Sequence, residues 1–318
     1  MNLFRKHILW VVSFVLAAGL VTLYQVTIAA PSDFAPGATV HITSGMSAPQ
    51  VAEILANADI IARPTLFRTF LRVTGQSENI HTGLYRFDTA QNLFTVAYRL
   101  AAGEYGIPPA RITFIEGVTN REAAIQVAAA LPGISADAFL AAAEGQEGYL
   151  FPDTYFFQPG IEADAVVASM RANFESKMNS LSGEYTSTQR TRADSVIMAS
   201  IIEKEARTVE DKHLISGILW NRIDIGMPLQ VDAVFGYIFN RSTYSPSPSD
   251  LKVNSPYNTY LHRGLPPGPI GNPGLDSLRA AIAPTKTSYL YYLTGNDGLM
   301  HYATTYTGHQ ANLRKYLK

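Results

Sequence analysis

The 318-residue chain contains no cysteine. That excludes disulfides, thiolate nucleophiles and cysteine-ligated metals. Charge is sparse as well: Asp, Glu, Lys and Arg make up 16% of the residues, and the net charge is −1. Such a balance offers no electrostatic footprint for nucleic acid. The seven histidines are scattered, and none has metal-ligand spacing. The sequence holds no Gly-x-x-x-x-Gly-Lys phosphate loop, no His-Glu-x-x-His zinc motif and no Gly-x-Ser-x-Gly elbow. Gly268, Gly271 and Gly274 have the wrong spacing and context for a dinucleotide fingerprint. An enzyme reading of this chain is therefore left with carboxylate chemistry that needs neither metal nor cofactor.

What the chain does have is apolar mass. Hydrophobic residues are 47% of the total, enough for a sizeable core, and the length suggests about two domains. Arg5 and Lys6 precede a run from Ile8 to Tyr24 without a charged residue, and the uncharged stretch continues to Ser32. A membrane span needs about 20 mostly apolar residues. A cleavable signal peptide is the rival, and Ala29-Ala30-Pro31 resembles a cleavage site. The run is long for a signal peptide, which favours a retained anchor over residues 8–30 behind a short tail, 1–7. No Lys or Arg follows until Arg63, so the positive-inside rule leaves the N-terminus in the cytoplasm and sends the bulk across the membrane.

After a polar linker (Pro31 to Gly37) comes an internal repeat. Val40 to Ala52 aligns with Ile112 to Ala124, and each copy reads as an alternating strand, a Gly turn and a helix start. Ser47 with Gln50, and Thr119 with Glu122, have capping-box spacing. Gly83 to Phe87 reads as another strand, followed by a helix through Val96 and Leu100. The region 38–110 is thus a small α+β module, either sugar-binding or a spacer. Residues 136–178 look helical at both ends. Between those ends lie five aromatics from Tyr149 to Phe157, which suit a core strand better than a sugar-stacking wall. A polar segment, Ser180 to Arg192, leads into the last unit.

That unit opens with Ser200-Ile201-Ile202-Glu203-Lys204-Glu205-Ala206. At about 100° per residue, Glu205 lies within roughly 60° of Met198, Ile201 and Ile202, and Glu203 falls on the far side, toward water. A carboxyl against apolar surface has its charged form disfavoured, so it can hold a proton near neutrality and deliver it to a leaving oxygen. The plainer alternative is a partly buried Glu paired with an Arg or Lys. Thr208 and Asp211 cap a second helix, running to about Ile225 with Gly226 at its C-terminus. Leu214, Ile218, Asn221 and Arg222 share one of its faces, as an interhelical contact or as a wall of the Glu205 site. A Ser/Pro-rich excursion, Ser242 to Asp250, and turn-rich segments follow. Ser288 to Leu293 reads as a strand, and Gly295 to Gly298 as a hairpin turn into His301-Tyr302-Ala303.

Met198 to Glu205, Asn221-Arg222, Gly226-Met227, Leu229-Gln230, Asp232, Ser255-Pro256-Tyr257-Asn258-Thr259-Tyr260, Gly264-Leu265-Pro266-Pro267-Gly268 and Asn272-Pro273-Gly274 together resemble the MltG/YceG-like endolytic murein transglycosylases. Phe151-Pro152-Asp153-Thr154-Tyr155 matches too, and the resemblance covers nearly the whole chain. Val231 departs from the usual Thr or Ser, and Ala233 from the common Pro. The resemblance implies a single-pass inner-membrane protein with an α+β architecture. Its N-terminus is cytoplasmic, its bulk periplasmic, with a LysM-like module (38–110) and a catalytic region (111–318) whose active-site part starts near 193. It also implies an endolytic lytic transglycosylase that cuts nascent peptidoglycan between N-acetylmuramic acid and N-acetylglucosamine and leaves 1,6-anhydro ends. The second Glu of the family's Glu-Lys-Glu is its general acid/base, and this falls on Glu205. Asn221, Arg222, Gln230, Asp232, Tyr257, Asn258 and Thr259 become candidates for binding the sugar. The expected partners are glycan strands and the inner membrane, with peptidoglycan synthases as candidate protein partners. Two rivals remain: a two-carboxylate glycoside hydrolase using Asp232, and a non-catalytic peptidoglycan-binding scaffold.

Overall fold

The computed structural model of the protein describes residues 2–184, 190–241 and 245–317. Parts of the polar segment 180–192 and of the Ser/Pro-rich excursion from Ser242 lie outside the described residues. The chain divides into two compact units, Met1–Arg111 with Phe156–Ile161, and Ile112–Tyr155 with Glu162–Lys318.

The first unit begins with helix α1 (Asn2–Thr27), whose stretch His7–Gln25 is long and apolar enough to cross a membrane. Strands β1 (Ala38–Ile42) and β2 (Gly83–Phe87) pair antiparallel, from Ala38 opposite Phe87 to Ile42 opposite Gly83. Alternation places Val40 and Ile42 of β1, and Tyr85 and Phe87 of β2, on the buried side. Helices α2 (Ala48–Asn57), α3 (Pro64–Val73) and α4 (Leu93–Ala102) cover that side with Val51, Leu55, Phe67, Leu71, Val96 and Leu100. Ser47 and Gln50 form the expected capping box. Helix α3 has no counterpart in the sequence reading, because Arg63 at its N-cap supplies no side-chain cap and only Pro64 at its first position signals a start.

β3 (Ala110–Thr113) and β4 (Thr154–Phe157) form a second two-stranded sheet. In the second unit, α5 (Asn120–Ala130) starts at the Thr119–Glu122 capping box. It is followed by α6 (Ala136–Ala142) and α7 (Ala163–Ser180). Of the aromatics between them, Phe151 and Phe157 are buried, but Phe156 is 63% exposed, so only part of the segment is core. The core is centred on α8 (Arg192–Glu205), against which α9 (Val209–Asp224), the short α10 (Ala233–Ile238) and α11 (Leu275–Ile282) pack. Val196, Met198, Ile201 and Ile202 of α8 meet Ile215, Leu219, Phe235 and Leu278 there. Gly226 ends α9 with φ +69°, a left-handed conformation that glycine adopts without strain. Hairpin β5 (Tyr291–Thr294) and β6 (Met300–Ala303), followed by α12 (Tyr306–Tyr316), completes the unit. β5 starts three residues later than Ser288–Leu293 suggested. Before β5 the backbone carbonyls of Thr287, Tyr289 and Leu290 accept from Asn221 and Arg222 side chains rather than from a neighbouring strand.

Candidate active site

α8 is fixed at its start by Thr191, which accepts from the Asp194 N–H while Asp194 Oδ2 accepts from the Thr191 N–H. Its buried side, Ser195, Val196, Met198, Ala199, Ser200, Ile201 and Ile202, carries the register down to Glu205, the last residue of the helix. There the carboxyl opens into a cleft of about 1100 Å³ within the second unit, lined also by Glu147, Arg207, Gly236, Tyr237 and Thr294. The Tyr292 hydroxyl donates to Glu205 Oε2 at 2.9 Å, and the Ala233 backbone N–H also bonds the carboxylate. Burial pushes the Glu205 carboxyl above the usual carboxylate range, and the nearby Asp232 charge adds to this. The two hydrogen bonds and the Arg222 guanidinium pull the other way. The position also matters: the negative end of the α8 dipole disfavours a charged carboxylate at the last helical residue.

Glu203 does not point to water. Its side chain is 7% exposed and accepts from Lys212 Nζ at 2.9 Å, and Lys212 itself is 6% exposed. The other oxygen accepts from the Gly274 N–H at 2.8 Å. A helix with one wet face would leave Glu203 in water. α8 is instead flanked on that side by the starts of α9 and α11, which supply Lys212 and Gly274. Glu116 lies against the same spot: a Cβ on Gly274 would sit 1.9 Å from its Oε1. Burial and the Glu203 charge push the Glu116 carboxyl up.

Arg222 is buried, with Nε donating to the Leu290 carbonyl at 2.7 Å and Nη1 to that of Leu229. Its guanidinium lies 5.5 Å from the Tyr291 ring centroid and 5.9 Å from that of Tyr292. Asn221 donates to the Thr287 carbonyl at 2.7 Å. These two residues hold the approach to β5, and with it Tyr292. Gln230 is exposed in a left-handed conformation, φ +51°, which is uncommon for a residue with a Cβ. Its N–H donates to the Thr259 carbonyl, and Thr259 Oγ1 accepts from the Val231 N–H at 3.1 Å. Asp232 Oδ1 accepts from the Tyr260 hydroxyl at 2.6 Å. Asn258 is fully buried, its Nδ2 bonded to the Leu251 and Val253 carbonyls and its Oδ1 to the Tyr260 N–H. The Tyr257 ring lies 5.0 Å from that of Tyr237, and its hydroxyl fills the space a Cβ on Gly268 would need. Asp232 and Arg222 thus come close enough to act on the Glu205 charge, whereas Asn258 and Thr259 are committed to backbone, and none of the seven expected sugar-binding residues lines the cleft itself.

Three side chains were not singled out from sequence, and of them only Glu147 lines the cleft. Tyr292 and Tyr260 touch Glu205 and Asp232, and burial raises both hydroxyls, leaving them donors. The third, Glu147, accepts from the Asn120 N–H at 3.1 Å, and burial pushes its carboxyl up to about 7. An acid set between Gly145 and Gly148 ahead of an aromatic run was its signal. Asn272, fully buried, fixes this loop by accepting from the Leu150 N–H and donating to Val118 and Asn120 oxygens. Among the described residues no three His, Asp or Glu side chains cluster as metal ligands would.

The sequence model of the YceG-like family matches residues 40–315. The chain belongs to this family. An endolytic murein transglycosylase of Bacillus subtilis is 31% identical over 305 residues, covering 87% of this chain and 84% of that protein. One from Streptococcus pneumoniae is 25% identical over 322 residues, and the match spans 88% of this chain but 58% of that protein. A crystal structure of a YceG-like protein from Listeria monocytogenes superposes with a TM-score of 0.59 at 28% identity, covering 86% of this chain and 98% of that one.

Proposed function

We propose that the protein is an endolytic peptidoglycan transglycosylase whose single general acid/base is Glu205. The observation that carries this reading is a carboxyl raised by burial, aimed into a cleft and held by Tyr292, in a chain of the YceG-like family. Protonated Glu205 gives its proton to the oxygen between N-acetylmuramic acid and N-acetylglucosamine, and that bond breaks. The muramic acid C6 hydroxyl then attacks C1 and returns its proton to Glu205, closing a 1,6-anhydro ring. The nucleophile is intramolecular, so neither water nor a second carboxylate is consumed. Arg222, Asn221, Asn258 and Thr259 position the site, while Gln230, Asp232 and Tyr257 face the sugar. Residues 38–110 serve as a LysM-like module, 111–318 as the catalytic region, and 8–30 as an inner-membrane anchor with residues 1–7 in the cytoplasm. The bulk is periplasmic, where nascent glycan strands and the synthases that make them would be met.

A two-carboxylate hydrolase is a second reading, favoured by Glu147 in the same cleft and by Asp232 beside Glu205. Digestion of glycan strands in ¹⁸O-water, followed by mass spectrometry, separates the two. Transglycosylation leaves one anhydromuramoyl end per cut and no label at either end, and Asp232→Asn retains turnover. One ¹⁸O atom per cut would make the protein a hydrolase.

A further inference from the structure

Helix α4 begins against the end of α1. The Leu93 N–H, at the first position of α4, donates to the Ile28 carbonyl at 2.9 Å. Ile28 lies just past the apolar stretch that ends at Gln25. At about 1.5 Å per residue this is roughly 5 Å beyond the hydrocarbon boundary. The headgroup layer is about 5–8 Å deep on each side of a bilayer. The start of α4 therefore falls inside that layer whenever α1 spans.

The side chains there are apolar and uncovered. Phe94 is 39% exposed and Tyr98, one turn on, is 65% exposed. The Phe70 ring of α3 lies 4.7 Å from that of Phe94. Val73, three residues after Phe70 and so beside it on the helix, is 80% exposed. Neither α3 nor α4 carries an acidic residue, and Arg68 and Arg72 flank the α3 part. Exposed aromatics suit the membrane–water interface, and arginines beside them can pair with lipid phosphates there.

We propose that Phe70, Val73, Phe94 and Tyr98 form a docking patch for the lipid headgroup layer, so that the first unit lies on the membrane rather than swinging free above it. The proposal rests on α1 being a retained anchor. Because the chain has no cysteine, one introduced cysteine carries a label at a single place. Four variants of the full chain, Phe14→Cys, Phe94→Cys, Tyr98→Cys and Arg86→Cys, each labelled with a fluorophore, are placed in phosphatidylcholine–phosphatidylglycerol vesicles. The vesicles carry nitroxide lipids labelled at the headgroup or along the acyl chain. Acyl-chain nitroxide should quench position 14. Headgroup nitroxide should quench 94 and 98 and leave 86, on strand β2, bright. Quenching at 14 with 94 and 98 as bright as 86 overturns the patch and leaves the anchor standing. Equal quenching at 94, 98 and 86 overturns it too, because the contact would not belong to this face. No quenching at 14 overturns the anchor, and the patch with it.

Discussion

Glu203 and Glu205 stand two residues apart on one helix, both withdrawn from water, in opposite electrostatic surroundings. At the Glu203 end, a buried lysine and a backbone N–H take up the carboxylate, and the group joins α8 to α9 and α11. Glu205, which lines the same cleft as Glu203, makes no ion pair among the described residues; a tyrosine hydroxyl and one backbone N–H face the carboxyl, Arg222 acts on it without pairing, and burial dominates. Burial alone does not make a general acid. A buried carboxylate beside a cation is structural, and one left beside neutral donors at a cleft can keep its proton.

The largest effect should come from breaking the structural end. Glu203→Gln leaves the Lys212 ammonium buried without its counter-charge, and loss of one partner of such a pair costs about 3–5 kcal/mol. Urea unfolding would read this, with cleavage by the still-folded fraction largely kept. A stability change within about 0.5 kcal/mol would mean that the pair is not what holds this end.

Glu205→Gln should do the reverse. Cleavage of glycan strands should fall by at least about 10², while stability is held or raised, since a buried carboxyl is replaced by a neutral amide of the same shape. Equal losses of activity in the two variants, both folded, would erase the distinction.

Tyr292→Phe removes a donor that favours the charged carboxylate. Glu205 should then titrate higher, shifting the alkaline limb of the pH–rate profile, where the acid loses its proton, upward with a smaller loss of rate than Glu205→Gln. An unmoved limb would take Tyr292 out of the site.

Glu147 sharpens the comparison in the smallest way. Its folded pKa, about 7, lies above its unfolded value of about 4.3. The folded state therefore holds the proton more tightly, and the stabilisation present below pH ~4.3 is lost as pH rises toward 7. Glu147→Gln keeps an acceptor for the Asn120 N–H and should gain stability relative to the parent at pH 8 but not at pH 4. The same gain at both values would contradict the assignment.

Local signals were legible in the sequence. The capping boxes at Ser47 and Thr119, the strand at Gly83–Phe87, the cap at Thr208 and the stop at Gly226 follow from side chains a few residues apart. The placement of Glu205 on the apolar side of α8 was legible for the same reason. Glu203 was not, because its partners come from residues 9 and 71 positions away, and helical periodicity does not tell a wet face from one covered by other elements. Tyr292 reaches Glu205 across 87 positions, and Glu147 shares the cleft through its own bond to the Asn120 N–H, 27 positions away, and through Asn272, which ties its loop to α5. The Asn-Pro-Gly run was visible as a motif, but its task, binding loops together, lies in tertiary contacts.

The contrast turns on whether Glu205 keeps its proton. The most direct measurement is a pH titration of the glutamate side-chain carboxyl ¹³C resonances, with the Glu205 signal assigned by its loss in Glu205→Gln. Glu205 should titrate clearly above the ordinary glutamate value of about 4.3. A midpoint at or below that value would contradict its role as the proton donor.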